Sequence, residues 1–391
     1  MVLVFQEAPS LALVSSRLRL VLPLLPLLPW LAPPAQAQAG AQDGGWPRRV
    51  TDLAGREVTL PRQPRALLLA ENFQLLTLSV LLPDPVSLLV GMGGDLKQHD
   101  QGSDLAFRRR FPAMNRVPEL TSAVGQGFSV ERALTLRPDL VVLSTWQLGS
   151  AETRQNVEHL AAAGIPVVFI DNFQRPLSNG IPSIRLLGRA LGCEERAEAV
   201  IGFQEERLAR IRERVAAHAG PKPGVIMNAF AGRRPCCWVA GNDGTGQMLS
   251  LVGARNLSEG MLPGPRGGEI NLEQLLAVAP EIVVNTGNRH DEDQQGLRVG
   301  TGVTLAEARA SLEALMASPE LVALPATRDR RVYGLWNPVF GSPVGIAALE
   351  AMARWLRPDL FADLDPAATL AEINRRFAAV PFEGTYWVGP G

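Results

Sequence analysis

Cysteine, histidine and tyrosine are scarce: the 391 residues hold 3 Cys, 4 His and 2 Tyr. A bare metal ion needs several thiolates, imidazoles or carboxylates converging on one point. His159 and His218 fall on predicted helices away from strand ends, and His99 falls in a polar loop. That leaves His290 beside Asp291, and one such pair reads as a solvated loop, so no metal ligand is assigned. An excess of charge is lacking too. The net charge is −1, so there is no basic field to hold nucleic acid. Motifs for phosphate or nucleophilic chemistry are also missing. Gly91-Met92-Gly93-Gly94 and Gly241–Gly246 are glycine-rich, but neither fits G-x-G-x-x-G or a P-loop with its lysine, and there is no G-x-S-x-G. No catalytic residue and no intrinsic cofactor are assigned, and a two-lobed α/β transferase is kept only as the competing class. Cys193, Cys236 and Cys237 make an odd count, which leaves at least one unpaired. A bridge between the neighbours Cys236 and Cys237 would be strained, and the reading favours small buried residues without chemistry.

Long apolar runs are also few. Leu20–Leu31 (LVLPLLPLLPWL) is too short and too rich in proline to span a bilayer. Arg17 and Arg19 precede it. Ala35-Gln36-Ala37 or Ala37-Gln38-Ala39 follows as a cleavage site, so residues 1–39 are expected to be a signal peptide. No cysteine follows the apolar run, so no lipoprotein anchor is expected. The mature chain is expected to be exported and soluble; the true start and the cleavage site stay open.

What is present is an alternation of short strands and helices, which indicates α/β lobes with largely parallel sheets. The central feature is one helix, Glu194–Ala219, ended by Gly220-Pro221. Ala197, Ile201, Leu208, Ile211 and Val215 make one stripe, with Gln204 filling a gap. About 25 residues span ~37 Å, the width of a small domain. Before it, a hairpin at 50–60 leads to strands at Arg65–Ala70, Val86–Val90, Leu140–Leu143 and Val167–Ile170. The helices between them are Gln74–Leu82, Val130–Leu136 and Arg154–Ala163. After it come strands at Gly224–Asn228, Glu281–Asn285 and Arg331–Leu335. Their helices are Gln247–Val252, Leu272–Val278, Leu305–Met316 and Gly345–Trp355, with Thr369–Phe377 in the tail.

One repeat is specific. Phe128–Ser144 reads FSVERALTLRPDLVVLS and Ile270–Thr286 reads INLEQLLAVAPEIVVNT. Each runs from an acid at a helix start through apolar residues to proline, an acid and a buried strand. Two matched units predict two doubly wound α/β lobes bridged by one long helix, with a ligand cleft between the lobes. The expected divisions are an N-terminal lobe at 50–176, a linker at 177–220 carrying the spine, a C-terminal lobe at 221–343, and helices and tail at 344–391.

With Val50–Arg56 and Leu60-Pro61 near the mature start, LRPDLVVL at Leu136–Leu143, the spine after Leu191-Gly192, APEIVV at Ala279–Val284 and RVYGLW at Arg331–Trp336, the chain resembles the periplasmic substrate-binding proteins of ABC importers for iron–siderophore, haem and cobalamin complexes. The set covers nearly all of the mature chain. The resemblance implies lobes that move little, a monomer, and delivery of a metal chelate to an ABC permease dimer in the inner membrane. It implies a ferric siderophore as the leading ligand, with haem or cobalamin as rivals. It also implies that one acid near the start of the repeated helix in each lobe, Glu131 and Glu273, docks on the permease; the reading from the residues alone is helix-end stabilisation.

The crevice of α/β sheets lies at the carboxyl ends of the strands. In the first lobe those ends offer Asn72, Phe73, Met92, Trp146, Asn172 and Phe173. In the second they offer Phe230, Arg233, Arg234, Trp238, Asn288, Arg289, Trp336 and Asn337. Phe73, Met92, Trp146, Arg233, Trp238, Arg289 and Trp336 are the expected ligand-binding residues. Aromatic walls would cover a bulky chelate, and arginines would pair with its negative charge.

Overall fold

The computed structural model describes residues 45–121, 127–234, 236–262, 264, 266–290 and 295–391. The expected signal peptide and Asp291 lie outside them. Among the described residues no helix is long and apolar enough to cross a membrane.

In the first lobe a hairpin of β1 (Arg48–Thr51) and β2 (Glu57–Leu60) precedes β3 (Leu67–Leu69), α1 (Leu75–Leu81), β4 (Leu89–Met92), α2 (Asp95–His99) and α3 (Gln101–Arg110). Then come α4 (Val130–Thr135), β5 (Leu140–Ser144), α5 (Ala151–Ala162), β6 (Val167–Ile170) and α6 (Pro176–Leu191). Strands β3 to β6 form one parallel sheet in the order β4-β3-β5-β6. Its side chains alternate with the two-residue period of a strand. Leu67, Leu69, Leu140, Val142, Val168 and Ile170 join one apolar cluster. Leu68, Val141, Leu143, Val167 and Phe169 join another, with Ala133 of α4 and Leu160 of α5. Both faces are covered, which is why these strands read as unbroken apolar runs.

The spine is α7 (Glu194–Ala216), a little shorter than its pattern predicts. It buries Ala197, Val200, Ile201, Phe203, Leu208 and Ile211, while Val215 is only half-buried. Its arginines hold the tail. Arg207 lies 3.6 Å over the Phe203 ring and donates to Glu372 at 2.8 Å, and Arg196 donates to the carbonyls of Val80 and Phe377, both at 3.0 Å.

The second lobe runs β7 (Gly224–Ala229), β8 (Trp238–Ala240), α8 (Gln247–Leu251), β9 (Arg255–Asn256), β10 (Gly267–Glu269), α9 (Leu272–Val278), β11 (Ile282–Gly287) and β12 (Gly300–Thr301). It continues through α10 (Leu305–Met316), α11 (Pro325–Arg328), β13 (Val332–Trp336), α12 (Gly345–Leu356), α13 (Pro358–Phe361), α14 (Pro366–Arg376), β14 (Gly384–Thr385) and β15 (Trp387–Val388). Its main sheet is mixed, in the order β10-β8-β7-β11-β13-β15, with β9 also parallel to β7. Strands β7, β11 and β13 are parallel. The fold is therefore two doubly wound α/β lobes bridged by one long helix. One apolar cluster runs through the first lobe, the spine and the second lobe without a break.

Several elements differ from expectation. Strand β4 begins at Leu89 rather than Val86, because Asp84 accepts from the amides of Val86 and Ser87, both at 3.0 Å, and prolongs the turn. Helices α2 and α3 were not expected, since 95–110 is mostly polar and buries chiefly Leu96, Gly102 and Phe107 among its small and apolar residues. Helix α6 fills the expected linker; Gly180 and Pro182 obscured its pattern, although Pro176 suits a first turn. Cys236 and Cys237 are bonded to each other, where small residues without chemistry were expected, and Cys193 is the free cysteine.

Candidate functional site

In the first lobe the sheet's initial strand, β3, lies between β4 and β5; in the second, β7 has β11 on one side and, on the other, β9 beside its start and the antiparallel β8 beside its carboxyl end. The chain leaves the first strand to one side and then returns to the other, and the carboxyl ends of the two diverging strands open a crevice. In the first lobe that point is flanked by Glu71 after β3 and by Ser144 and Trp146 at the end of β5. In the second it is flanked by Phe230–Arg234 after β7 and by Asn288-Arg289 after β11.

The first-lobe side is a closed polar network. The Trp146 indole N–H donates to both carboxylate oxygens of Glu71, at 3.1 and 3.2 Å. The Ser144 hydroxyl also donates to Glu71. Gln74 Nε2 donates to Ser144 at 3.2 Å, and Asn172 Nδ2 donates to Gln74 Oε1 at 2.8 Å. Asp95 accepts the amides of Asn72 at 2.8 Å and Phe73 at 3.0 Å. Burial first, and then the charge of Asp95, push the Glu71 carboxyl up to about 8. Burial raises Asp95 as well, to about 6, against the two amides that hold it down.

The second-lobe side is cationic. Arg233 Nη1 donates to Asn288 Oδ1 at 3.5 Å, and Asn288 Nδ2 donates across to the carbonyl of His99 in the first lobe. Burial and the charge of Arg234 both hold the His99 imidazole below its usual value. Next to it, Asp100 is buried and raised to about 7 by that burial, while the nearby Arg289 charge opposes the shift. Arg289 also donates to the Gly302 carbonyl at 3.5 Å. The charges of Arg234 and Arg289 thus act on the His99-Asp100 turn of the other lobe, and Arg233 is linked to it through Asn288.

Other contacts also join the lobes. Ser103, Thr301 and Tyr386 form a buried hydroxyl chain, with steps of 2.7 and 2.9 Å. Arg175 pairs with Asp243 through two bonds, at 2.9 and 2.8 Å. Beside the spine, a small crevice is lined by Thr77, Asn172, Leu177, Gln204, Met248 and Phe340, so both lobes contribute to it.

The expected binding residues separate by burial. Trp146, Arg233, Trp238 and Arg289 are half-buried and keep accessible surface. Phe73 is 2% exposed and packs on Phe173 with ring centres 4.5 Å apart. Met92 and Trp336 are wholly enclosed; Trp336 packs edge-on to Tyr386 at 5.0 Å. These three side chains fill the core and offer no open wall to a ligand. The glycines around Met92 serve backbone packing, since a Cβ on Gly93 would stand 2.5 Å from the Ala70 carbonyl. Glu131 and Glu273 are exposed in the first turns of α4 and α9. Among the described residues no group of three or more His, Cys, Asp or Glu could hold a metal ion. Sequence reasoning missed Glu71, Asp95 and Asp100. The available signal was an acid directly after an apolar strand, at Leu67-Leu68-Leu69-Ala70-Glu71.

Residues 121–338, more than half of the chain, match the profile of a family described as periplasmic binding protein. The ferric enterobactin-binding periplasmic protein FepB of Escherichia coli O6:H1 is 25% identical over 309 residues, 77% of this chain and 88% of that protein. The vitamin B12-binding protein of Pectobacterium carotovorum is 29% identical over 203 residues, which is 51% of this chain and 66% of that protein's length. Among solved structures, a TroA-like periplasmic binding protein, FepB, from Veillonella parvula has a TM-score of 0.78 at 24% identity, covering 88% of this chain and all of that one (100%). A periplasmic heme-binding protein from Pseudomonas aeruginosa has a TM-score of 0.52 at 22% identity, with 84% and 100% covered.

Proposed function

The chain belongs to the periplasmic binding protein family, and from that premise we propose that it captures an anionic metal chelate in the cleft between its lobes and passes it to an ABC permease dimer. The observation that carries the ligand class is the cationic character of the second lobe's strand-end loops, where Arg233 is bonded to Asn288 and the charges of Arg234 and Arg289 act on His99 and Asp100. Guanidinium groups bind carboxylates and catecholate-type oxygens through paired, charge-assisted hydrogen bonds. Trp146 and Trp238 supply aromatic surface for a bulky ligand. A ferric siderophore such as ferric enterobactin fits this chemistry best, with haem and cobalamin as rivals. The reading includes export by the 1–39 leader, action as a monomer in the periplasm, and docking through Glu131 and Glu273.

Tryptophan-fluorescence titration of the mature protein with ferric enterobactin, haem and cyanocobalamin tests the ligand class. Saturable quenching by the ferric chelate is the expected result. Saturation by a small sugar or amino acid, with no response to any of the three, would refute the class.

A further inference from the structure

The first-lobe crevice holds a carboxyl group that no binding role yet uses. We propose that Glu71 is a positioning residue: by accepting the only N–H of Trp146 on its two oxygens, it fixes the plane of that indole at the switch point of the sheet, so that the ring's open face meets the ligand. The inference rests on the binding reading above and assigns the part of the site that sets the aromatic wall.

Three observations support it. First, the geometry is two-centred. An indole has a single donor, and here it lies 3.1 and 3.2 Å from Glu71 Oε1 and Oε2. A donor shared between two oxygens restrains rotation about the ring's attachment more than one bond would. Second, Glu71 is itself held. It is 8% exposed, takes the Ser144 hydroxyl, and through Ser144 joins Gln74 and Asn172. The acceptor is therefore built into the ends of β3, β5 and β6, while Trp146 stays half-buried with surface to offer. Third, the pair straddles the divergence of β3 and β5, where crevices form in sheets of this order.

The charged surroundings define the protonation state. The titratable group that acts on Glu71 from the neighbouring element is Asp95, which follows β4, and Glu119 acts on Asp95 in turn. Both are acids, and burial acts the same way, so Glu71 carries a proton at neutral pH. A neutral acid, like an amide, keeps one carbonyl oxygen to accept the indole N–H and a donor that can face Ser144 Oγ. Glutamine should therefore replace it well, whereas alanine or aspartate should not.

The test uses the mature protein labelled with 15N-tryptophan. The Trp146 indole resonance is assigned by its loss in W146F. In E71A and E71D it should shift and exchange faster with solvent; in E71Q it should stay near its wild-type position. In the wild type it should titrate near pH 8, and in E71Q it should not. Affinity for ferric enterobactin should fall about tenfold in E71A and E71D and recover to within about threefold of wild type in E71Q. E71D guards against failure of E71A to fold, since it keeps most of the buried volume. An unmoved Trp146 resonance in the folded E71A or E71D protein overturns the proposal. So does a moved resonance with unchanged affinity. If the wild type binds none of ferric enterobactin, haem and cyanocobalamin, the functional reading falls instead, and the resonance arm alone still decides whether Glu71 holds Trp146.

Discussion

Arg233 and Arg289 sit on different loops, yet both reach the region of Asn288 and the His99-Asp100 turn. Each would contribute a charge-assisted contact to an anionic ligand, worth roughly 1.5–3 kcal/mol when its partner is well placed. Arg233→Ala with Arg289→Ala should therefore weaken binding of ferric enterobactin by about 100-fold or more at low salt. Isothermal titration with a melting curve checks this, because neither residue is a core side chain and the fold should persist. Unchanged affinity would place the ligand elsewhere, for example in the crevice beside the spine. The tryptophans show why residue type alone misleads. Trp146 and Trp336 both end parallel strands, but only Trp336 has Tyr386, from the far end of the chain, packed against it. That long-range contact has no local signature.

At the scale of elements, the internal repeat extends to the backbone. Ser129 and Asn271 each cap their helix by accepting an amide three residues on, at 3.3 and 2.8 Å. Arg137 and Ala279, each just before the proline, both take positive φ, 48° and 44°. Asp139 accepts the amides of Arg65 and Ala66, and Glu281 accepts that of Gly224, so each acid anchors the start of the lobe's first strand. The repeat was legible because the helix caps, the prolines and the apolar spacing are local, although the bonds that Asp139 and Glu281 make reach far back along the chain. Helix α6 was not, because Gly180 and Pro182 interrupt its pattern, nor were the short strands β8, β9, β10, β12, β14 and β15, since pairing across the fold defines them rather than periodicity. A left-handed residue other than glycine costs roughly 1–2 kcal/mol, against the extra chain entropy that glycine loses, about 0.4–1 kcal/mol. Ala279→Gly should thus stabilise the protein by about 0.5 kcal/mol, whereas Ala277→Gly, inside α9, should destabilise it by about 1 kcal/mol. Urea unfolding distinguishes the signs, and equal losses at both positions would contradict the argument. Glu131 and Glu273 occupy matching first turns, where a carboxylate contributes only ~0.3–1 kcal/mol. Reversing both, Glu131→Arg with Glu273→Arg, should leave folding and ligand affinity nearly intact and strongly reduce uptake by cells carrying the permease. Wild-type uptake would leave these acids as helix-end groups alone.

At the scale of the whole molecule, the lobes are joined by more than the spine. The shared apolar cluster, the Ser103–Thr301–Tyr386 chain and the His99–Asn288 contact all cross between them, and the tail returns to the first lobe through the Ala379 amide on the Ser79 carbonyl at 2.8 Å. Gly102 lets α3 approach β12, since a Cβ there would stand 2.0 Å from the Thr301 carbonyl. The fold also buries acids, Glu71 within the first lobe and Asp100 beside the junction, and that gives stability a definite pH dependence. Glu71 is raised from 4.5 to about 8 and Asp100 from 3.8 to about 7, burial being the first cause in both. The folded state binds these protons more tightly than the unfolded chain does, so their contribution is complete below the unfolded values and is lost as pH rises through 7 and 8. His99 has the opposite sign, but its contribution is lost only as pH falls below its ordinary 6.5. The exposed acids held low by arginines, such as Glu198 and Asp363, change charge in the acid range and are screened by solvent. Between pH 6.5 and 9 the two buried acids therefore dominate, and unfolding free energy should fall by on the order of 2 kcal/mol. Urea unfolding across that range measures it, and E71Q combined with Asp100→Asn should flatten the slope. Stability that is level or rising from pH 6.5 to 9 in the wild type would mean that these carboxyls reach solvent in the folded protein.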